Sequence, residues 1–181
     1  MQLAVVRHLP TEWNQRGLLQ GNRDIPLSPL TDIQKRGIKE NINILKGLEP
    51  IEQVITSSLI RTQETAKHYG YNDFIIEPLI NELNFGKYEG KQKSLLIERY
   101  KHEWVNNPKK LVLGESLADF ENRIFTFLEK YKNGKKLLVF GHGSWIRALK
   151  SIRDTGTIQR MNQVEVPNNQ LTLLNFHFDS L

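Results

Sequence analysis

Short apolar runs alternate along this chain with longer stretches in which apolar residues recur every three or four positions. Residues 2–6 (Gln-Leu-Ala-Val-Val) predict a buried strand that stops at Arg7-His8. A polar loop follows as far as Pro26-Leu27-Ser28-Pro29. Leu30, Ile33, Ile38, Ile42 and Leu45 then fall at roughly helical spacing, up to Gly47. Residues 52–56 read as a second strand, and Ser57-Ser58 as the cap of a helix that ends near Gly70. Phe74-Ile75-Ile76 predicts a third strand, broken by Pro78. Leu117, Phe120, Ile124, Phe127 and Leu128 share one face of a helix over 116–132. The continuously apolar residues 137–140 predict a strand ending at Gly141-His142-Gly143, followed by a helix from Trp145 to Ile152. Residues 164–166 and 171–176 suggest two closing strands joined across Pro167-Asn168-Asn169.

Strands alternating with helices predict an α/β fold, a three-layer α/β/α sandwich around a mostly parallel sheet. The expected organisation is one domain over 1–181. Residues 85–114 stand apart, because Gly86, Gly90, Pro108 and Gly114 punctuate them around one helical stretch near 94–105. They are read as a short lid-like insertion. In such sheets the functional site lies beyond the carboxyl ends of the strands. Arg7-His8 and His142 both fall at such ends.

Composition narrows the chemistry. The 181 residues carry 25 Lys+Arg against 20 Asp+Glu and contain no cysteine. Without cysteine there is no disulfide, no thiolate metal site and no cysteine nucleophile. The net charge of +5 favours an anionic ligand. Basic residues are interleaved with acids, however, so a nucleic-acid surface is not expected. No apolar run is long enough to span a membrane, and Arg7 cuts the first one too early for a signal peptide. A cytoplasmic protein is the expectation.

Phosphoryl transfer to a protein group needs a nucleophile, cations or donors for the nonbridging oxygens, and an acid for the leaving oxygen. Neutral His8 can supply the nucleophile, and Arg7 and Arg61 would disfavour its protonated form. The two guanidinium forks also match a phosphoryl group. His142, the Gly143 amide at a helix start and the Asn14 side chain are further donors. Glu82 is the candidate acid toward the leaving alcohol and then base toward water, a task that requires a raised pKa.

Four ordered segments carry a family resemblance: Arg7-His8 with Thr11 to Asn14, Ser57 to Ala66, Asn81 to Gly90, and Gly141 to Arg147. Together they resemble the motifs of the histidine phosphatase (phosphoglycerate mutase-like) superfamily. The resemblance implies His8 as nucleophile, Arg7, Asn14, Arg61 and His142 as phosphate ligands, and Glu82 as acid/base. It also places Gln20 and Gly21 in a loop that contacts substrate. It implies no cofactor, and no pair of histidines has zinc-site spacing with a third ligand. Leu9-Pro10 departs from the family's usual glycine and glutamate. The added bulk and the lost amide are expected to alter the pocket.

The implied activity is hydrolysis of a small phosphorylated metabolite through phosphohistidine. Two alternatives stay open: a phosphoglycerate mutase, which returns the phosphoryl group to product, and a noncatalytic phosphate-binding protein. A mutase favours a more enclosing lid than 85–114 provides.

Overall fold

The computed structural model of the chain describes residues 1–178. Five strands form one sheet: β1 (Gln2–Arg7), β2 (Gln53–Thr56), β3 (Ile75–Ile76), β4 (Lys136–Gly141) and β5 (Leu171–Asn175), in the order β3-β2-β4-β1-β5. The pairings β1–β4, β2–β4 and β2–β3 are parallel, whereas β5 runs antiparallel along β1. The fold is α/β with a mostly parallel sheet.

Strand periodicity explains the layering. Leu3 and Val5 face one core while Ala4 and Val6 face the other, and Leu137 and Val139 oppose Leu138 and Phe140 in the same way. The first core is closed by α5 (Leu117–Tyr131) and α6 (Gly143–Thr155), through side chains such as Phe120, Phe127 and Trp145. The second is closed by α2 (Asp32–Lys46) and α3 (Ile60–His68), through Ile38, Leu45 and Ala66. With both faces covered, β1 and β4 are apolar at every interior position, Leu3 to Val6 and Leu137 to Phe140, which is why they read as continuous runs.

Several details differ from the sequence expectation. The loop after β1 contains a single helical turn, α1 (Glu12–Gln15), closed by a reciprocal cap between Thr11 and Asn14. Residues 164–166 form no strand. A 3₁₀ stretch, Ile158–Gln163, precedes them and packs on α6, so that of the two expected closing strands β5 alone forms, along the edge of β1 away from β4. Leu59 is the N-cap of α3, and Ser57 stands before it, accepting the Leu59 amide on its hydroxyl oxygen at 3.1 Å. Within 85–114, α4 (Lys93–Asn106) is interrupted at Lys101, and Leu96, Trp104 and Leu111 are buried in the α5–α6 core.

Two features position the site. Arg7 pairs with Gly141 in the β1–β4 register, and the His8 amide donates to the Gly141 carbonyl at 3.0 Å. The residues that follow β1 and β4 are therefore neighbours despite a separation of more than 130 positions.

Candidate active site

A cleft of about 300 Å³ opens at the carboxyl ends of β1 and β4, and Arg7, His8, Arg61, Glu82 and Gly143 line it. The cleft is at the small end of ligand sites. A larger surface groove of about 1160 Å³, flanked by α2 and α3, shares none of these residues.

His8 is 2% exposed, and its Nδ1 is 2.7 Å from the carbonyl oxygen of Leu9. A carbonyl only accepts, so Nδ1 carries the proton and Nε2 holds the lone pair. No protein group engages Nε2 among the described residues. Burial, then Arg61, then Arg7 push the His8 pKa well below the ordinary imidazole value. The ring is neutral, as a nucleophile must be.

The Leu9 side chain does not reach the cleft. It is fully buried in the α2–α3 core, and its amide donates to Thr65 Oγ1 at 3.0 Å. The Pro10 carbonyl accepts from the Ser28 amide. The expected change of pocket shape is thus absent from the lining, because the side chain at position 9 turns into the core while its carbonyl orients His8.

Arg61 is fully buried, not the surface charge that a lone helical arginine suggests. It donates to the carbonyls of Arg23 at 2.7 Å and Gly21 at 2.8 Å, while Nε is left without a protein partner. Gly21 has φ +53°, a conformation that glycine adopts without strain and that aims its carbonyl at Arg61. Arg7 donates through Nη1 to the Val166 carbonyl, and its Nε is also unpartnered. Burial lowers both guanidinium pKa values to about 10, with Glu82 opposing, so both remain charged at neutral pH.

Glu82 bridges to the start of α6. Both carboxylate oxygens lie 3.1 Å from the Ser144 amide, and Oε1 also accepts from Trp145 at 3.3 Å and Leu83 at 2.9 Å. A carboxylate at free helix amides is favoured by both hydrogen bonding and the helix dipole. Asn14 lines the cleft, but its Oδ1 is committed to the Thr11 cap. Gln20 lines it with Oε1 buried and unpartnered. Gly143 is the first residue of α6.

His142 lies beside His8, with ring centroids 5.4 Å apart, but it is fully buried behind the cleft wall. Its Nε2 is 2.8 Å from Ser57 Oγ, its Nδ1 is unpartnered, and burial followed by Arg61 holds its pKa well below the ordinary value. Sequence reading overlooked Ser57 as its partner, along with Lys93, Trp104, Arg147 and Asn168 on the lining. Arg147 carried a usable signal: it lies one helical turn after Gly143 and so shares that face. Lys93 carried none. Among the described residues no three His, Cys, Asp or Glu side chains are gathered to hold a metal ion, and no helix is long and apolar enough to cross a membrane.

A buried neutral histidine and two buried arginines, at the strand ends of a mostly parallel sheet, define an α/β protein with a small, preorganised, cationic cleft. The sequence pattern of the histidine phosphatase superfamily (branch 1) matches residues 3–180, and the chain belongs to that superfamily. It is 30% identical to phosphoserine phosphatase 1 of Hydrogenobacter thermophilus over 82% of this chain and 74% of that protein. It is also 30% identical to a 2,3-bisphosphoglycerate-dependent phosphoglycerate mutase of Methylobacterium radiotolerans, over 93% and 84% of the two chains. The solved structure of the open reading frame Rv3214 product of Mycobacterium tuberculosis shares the fold. Its TM-score is 0.81 at 23% identity, covering 98% of this chain and 92% of that one.

Proposed function

We propose that this protein hydrolyses small phosphomonoesters through a phosphohistidine intermediate on His8. The observation that carries the reading is the Nδ1 hydrogen bond to Leu9, which leaves the lone pair of a neutral imidazole on Nε2. Nε2 attacks phosphorus, the P–O bond to the alcohol breaks, and Glu82 delivers the proton to the departing oxygen. Glu82 then takes a proton from water as the water oxygen attacks phosphorus, releasing inorganic phosphate and restoring His8. Arg7 and Arg61, buried and already oriented by backbone carbonyls, meet the charge on the transferring group without reorganisation. Residues 85–114 contribute Phe85, Lys93 and Trp104 to the lining and are proposed to act as the lid.

The test is rapid quenching of the enzyme with a ³²P-labelled phosphomonoester. Acid-labile, base-stable label on His8 together with phosphate release is expected, and both should vanish in His8→Ala. Unimpaired turnover in that variant overturns the assignment.

A further inference from the structure

The carboxylate of Glu82 is held by amides at the start of α6, but its backbone belongs to residues 81–85, which form no helix or strand. The strand before them, β3, is two residues long and ends at Ile76. Among the described residues no sheet ladder takes up the carbonyls of this stretch, and buried carbonyls need partners. One side chain supplies them. Arg123, on α5, donates through Nη1 to the carbonyls of Leu79 and Asn81, each at 2.8 Å. Through Nη2 it donates to the carbonyl of Glu82 at 3.1 Å.

The guanidinium is itself fixed. Nε lies 3.1 Å from Glu115 Oε2 and Nη2 lies 3.0 Å from Glu115 Oε1. With the three carbonyls, this two-point pairing uses all five N–H groups of the side chain. The Phe120 ring covers the guanidinium, with Cζ 4.5 Å from the ring centroid.

Glu115 grips the far side of the same stretch. Its Oε1 accepts the Asn84 amide at 2.8 Å, and the Asn84 carbonyl accepts the Gly114 amide at 3.0 Å. A Cβ at Gly86 would stand 2.8 Å from Gly114 Cα, so residues 85–114 leave and rejoin the body at one point. Glu82 is thus anchored on both sides by one ion pair, and neither Arg123 nor Glu115 lines the cleft.

Distance decides what such an anchor can do. Proton delivery needs Glu82 within about 2.6–3.2 Å of the departing oxygen, and misplacement by about 1 Å can cost on the order of 10² in rate. Arg7 and Arg61, by contrast, are oriented by the carbonyls of Val166, Gly21 and Arg23, which Arg123 does not touch. Loss of the anchor loosens the acid and leaves the phosphoryl ligands in place.

We propose that Arg123, oriented by Glu115, is a positioning residue for the acid, acting on the reaction through the backbone of Glu82 with no contact to substrate. This rests on the phosphomonoesterase reading of the cleft, with Glu82 as its acid.

The experiment measures kcat/KM of Arg123→Ala and Arg123→Lys on an alkyl and an aryl phosphate, in the parent and in the Glu82→Gln background. This ratio covers the steps up to release of the alcohol, so the later role of Glu82 as base does not enter. Lysine keeps the charge and the stem without the fork, and its variant carries the test where the alanine variant does not fold. Turnover of the alkyl phosphate should fall by about 10- to 10²-fold and that of the aryl phosphate by less than about threefold. The inhibition constant of inorganic phosphate should stay within about twofold of the parent, because its ligands are untouched. In Glu82→Gln the same changes should leave the alkyl-to-aryl ratio where Glu82→Gln alone puts it, as two residues acting as a unit require.

Equal losses on the two substrates, weakened phosphate inhibition, or a further shift of the ratio in Glu82→Gln would overturn the positioning role. If Glu82→Gln discriminates between the substrates while the Arg123 variants do not, the phosphomonoesterase reading and its acid stand, and the positioning role alone falls. A parent enzyme that forms no phosphohistidine and releases no phosphate overturns both.

Discussion

Ser57 Oγ lies 2.8 Å from Nε2 of His142, and the Ser57 hydroxyl is itself 2.9 Å from Thr62 Oγ1. With Thr62 donating to the Leu59 carbonyl at 2.9 Å and Ser57, which accepts the Leu59 amide, donating to Nε2, the His142 proton sits on Nδ1, the nitrogen with no protein partner. A neutral imidazole can then donate toward a phosphoryl oxygen. Reversing the chain would present a lone pair to an anion. We expect ¹⁵N chemical shifts to show His142 protonated on Nδ1 in the parent and a mixture of tautomers in Ser57→Ala, with turnover falling about tenfold, the worth of one hydrogen bond. An Nε2-protonated His142 in the parent would refute this orientation.

Glu82→Gln should slow alkyl phosphates by on the order of 10²–10³, and aryl phosphates less, because a good leaving group needs little protonation. The amide can still accept from Ser144, so the start of α6 should keep its place. Equal losses for alkyl and aryl substrates would remove Glu82 from the acid role.

Gly143→Ala should drive a methyl against the Arg7 guanidinium, 3.2 Å away, and toward Arg147. Displacement of such groups by a fraction of an ångström to an ångström can cost on the order of 10² in rate. A fall of kcat/KM of that order, with Tm nearly constant, is expected. Parent-like kinetics would show that the Arg7 guanidinium yields without consequence.

Acid should destabilise the fold from just below neutrality. His8 and His142 have folded pKa values well below their unfolded values, so below about pH 6.5 the unfolded chain binds more protons and stability falls with pH. The slope is on the order of 1 kcal/mol per pH unit for each histidine. Glu77 and Glu121 add to it lower down. Their ion pairs with Lys130 and Lys109 and their hydrogen bonds outweigh burial and depress both pKa values. Their contribution is present above the unfolded carboxylate pKa and lost as pH falls through the folded values. Urea midpoints in phosphate-free buffer from pH 7.5 to 5.5 check the first effect, and a flat profile there would contradict it.

Incubation with 3-phosphoglycerate, with and without 2,3-bisphosphoglycerate, separates hydrolysis from phosphoryl return. Phosphate without 2-phosphoglycerate is expected, since residues 85–114 are few for sealing the cleft against water. Efficient conversion to 2-phosphoglycerate with little phosphate released would make the mutase reading correct.

The local code of this chain is explicit wherever a residue's role depends on its neighbours in sequence. Burial on both faces of the sheet made β1 and β4 legible as apolar runs, and helical spacing did the same for α2 and α5. The four ordered motifs named Arg7, His8, Arg61, Glu82 and His142 before any contact was known. What sequence could not give was direction. Leu9 stands beside the nucleophile in the chain, yet its side chain enters the opposite core, because its orientation is set by packing against α2 and α3. Residues 164–166 have strand composition, but the 3₁₀ stretch packed on α6 occupies the chain before them and β5 alone takes the edge of β1. Arg61 looks like a solvated helical charge until the Gly21 and Arg23 carbonyls close over it. Lys93, Arg147 and the Ser57–His142 pair acquire meaning only when elements dozens of residues apart converge on one cleft. Hydrogen bonding and electrostatics act through space, and the parallel register of β1 and β4 decides which residues share that space.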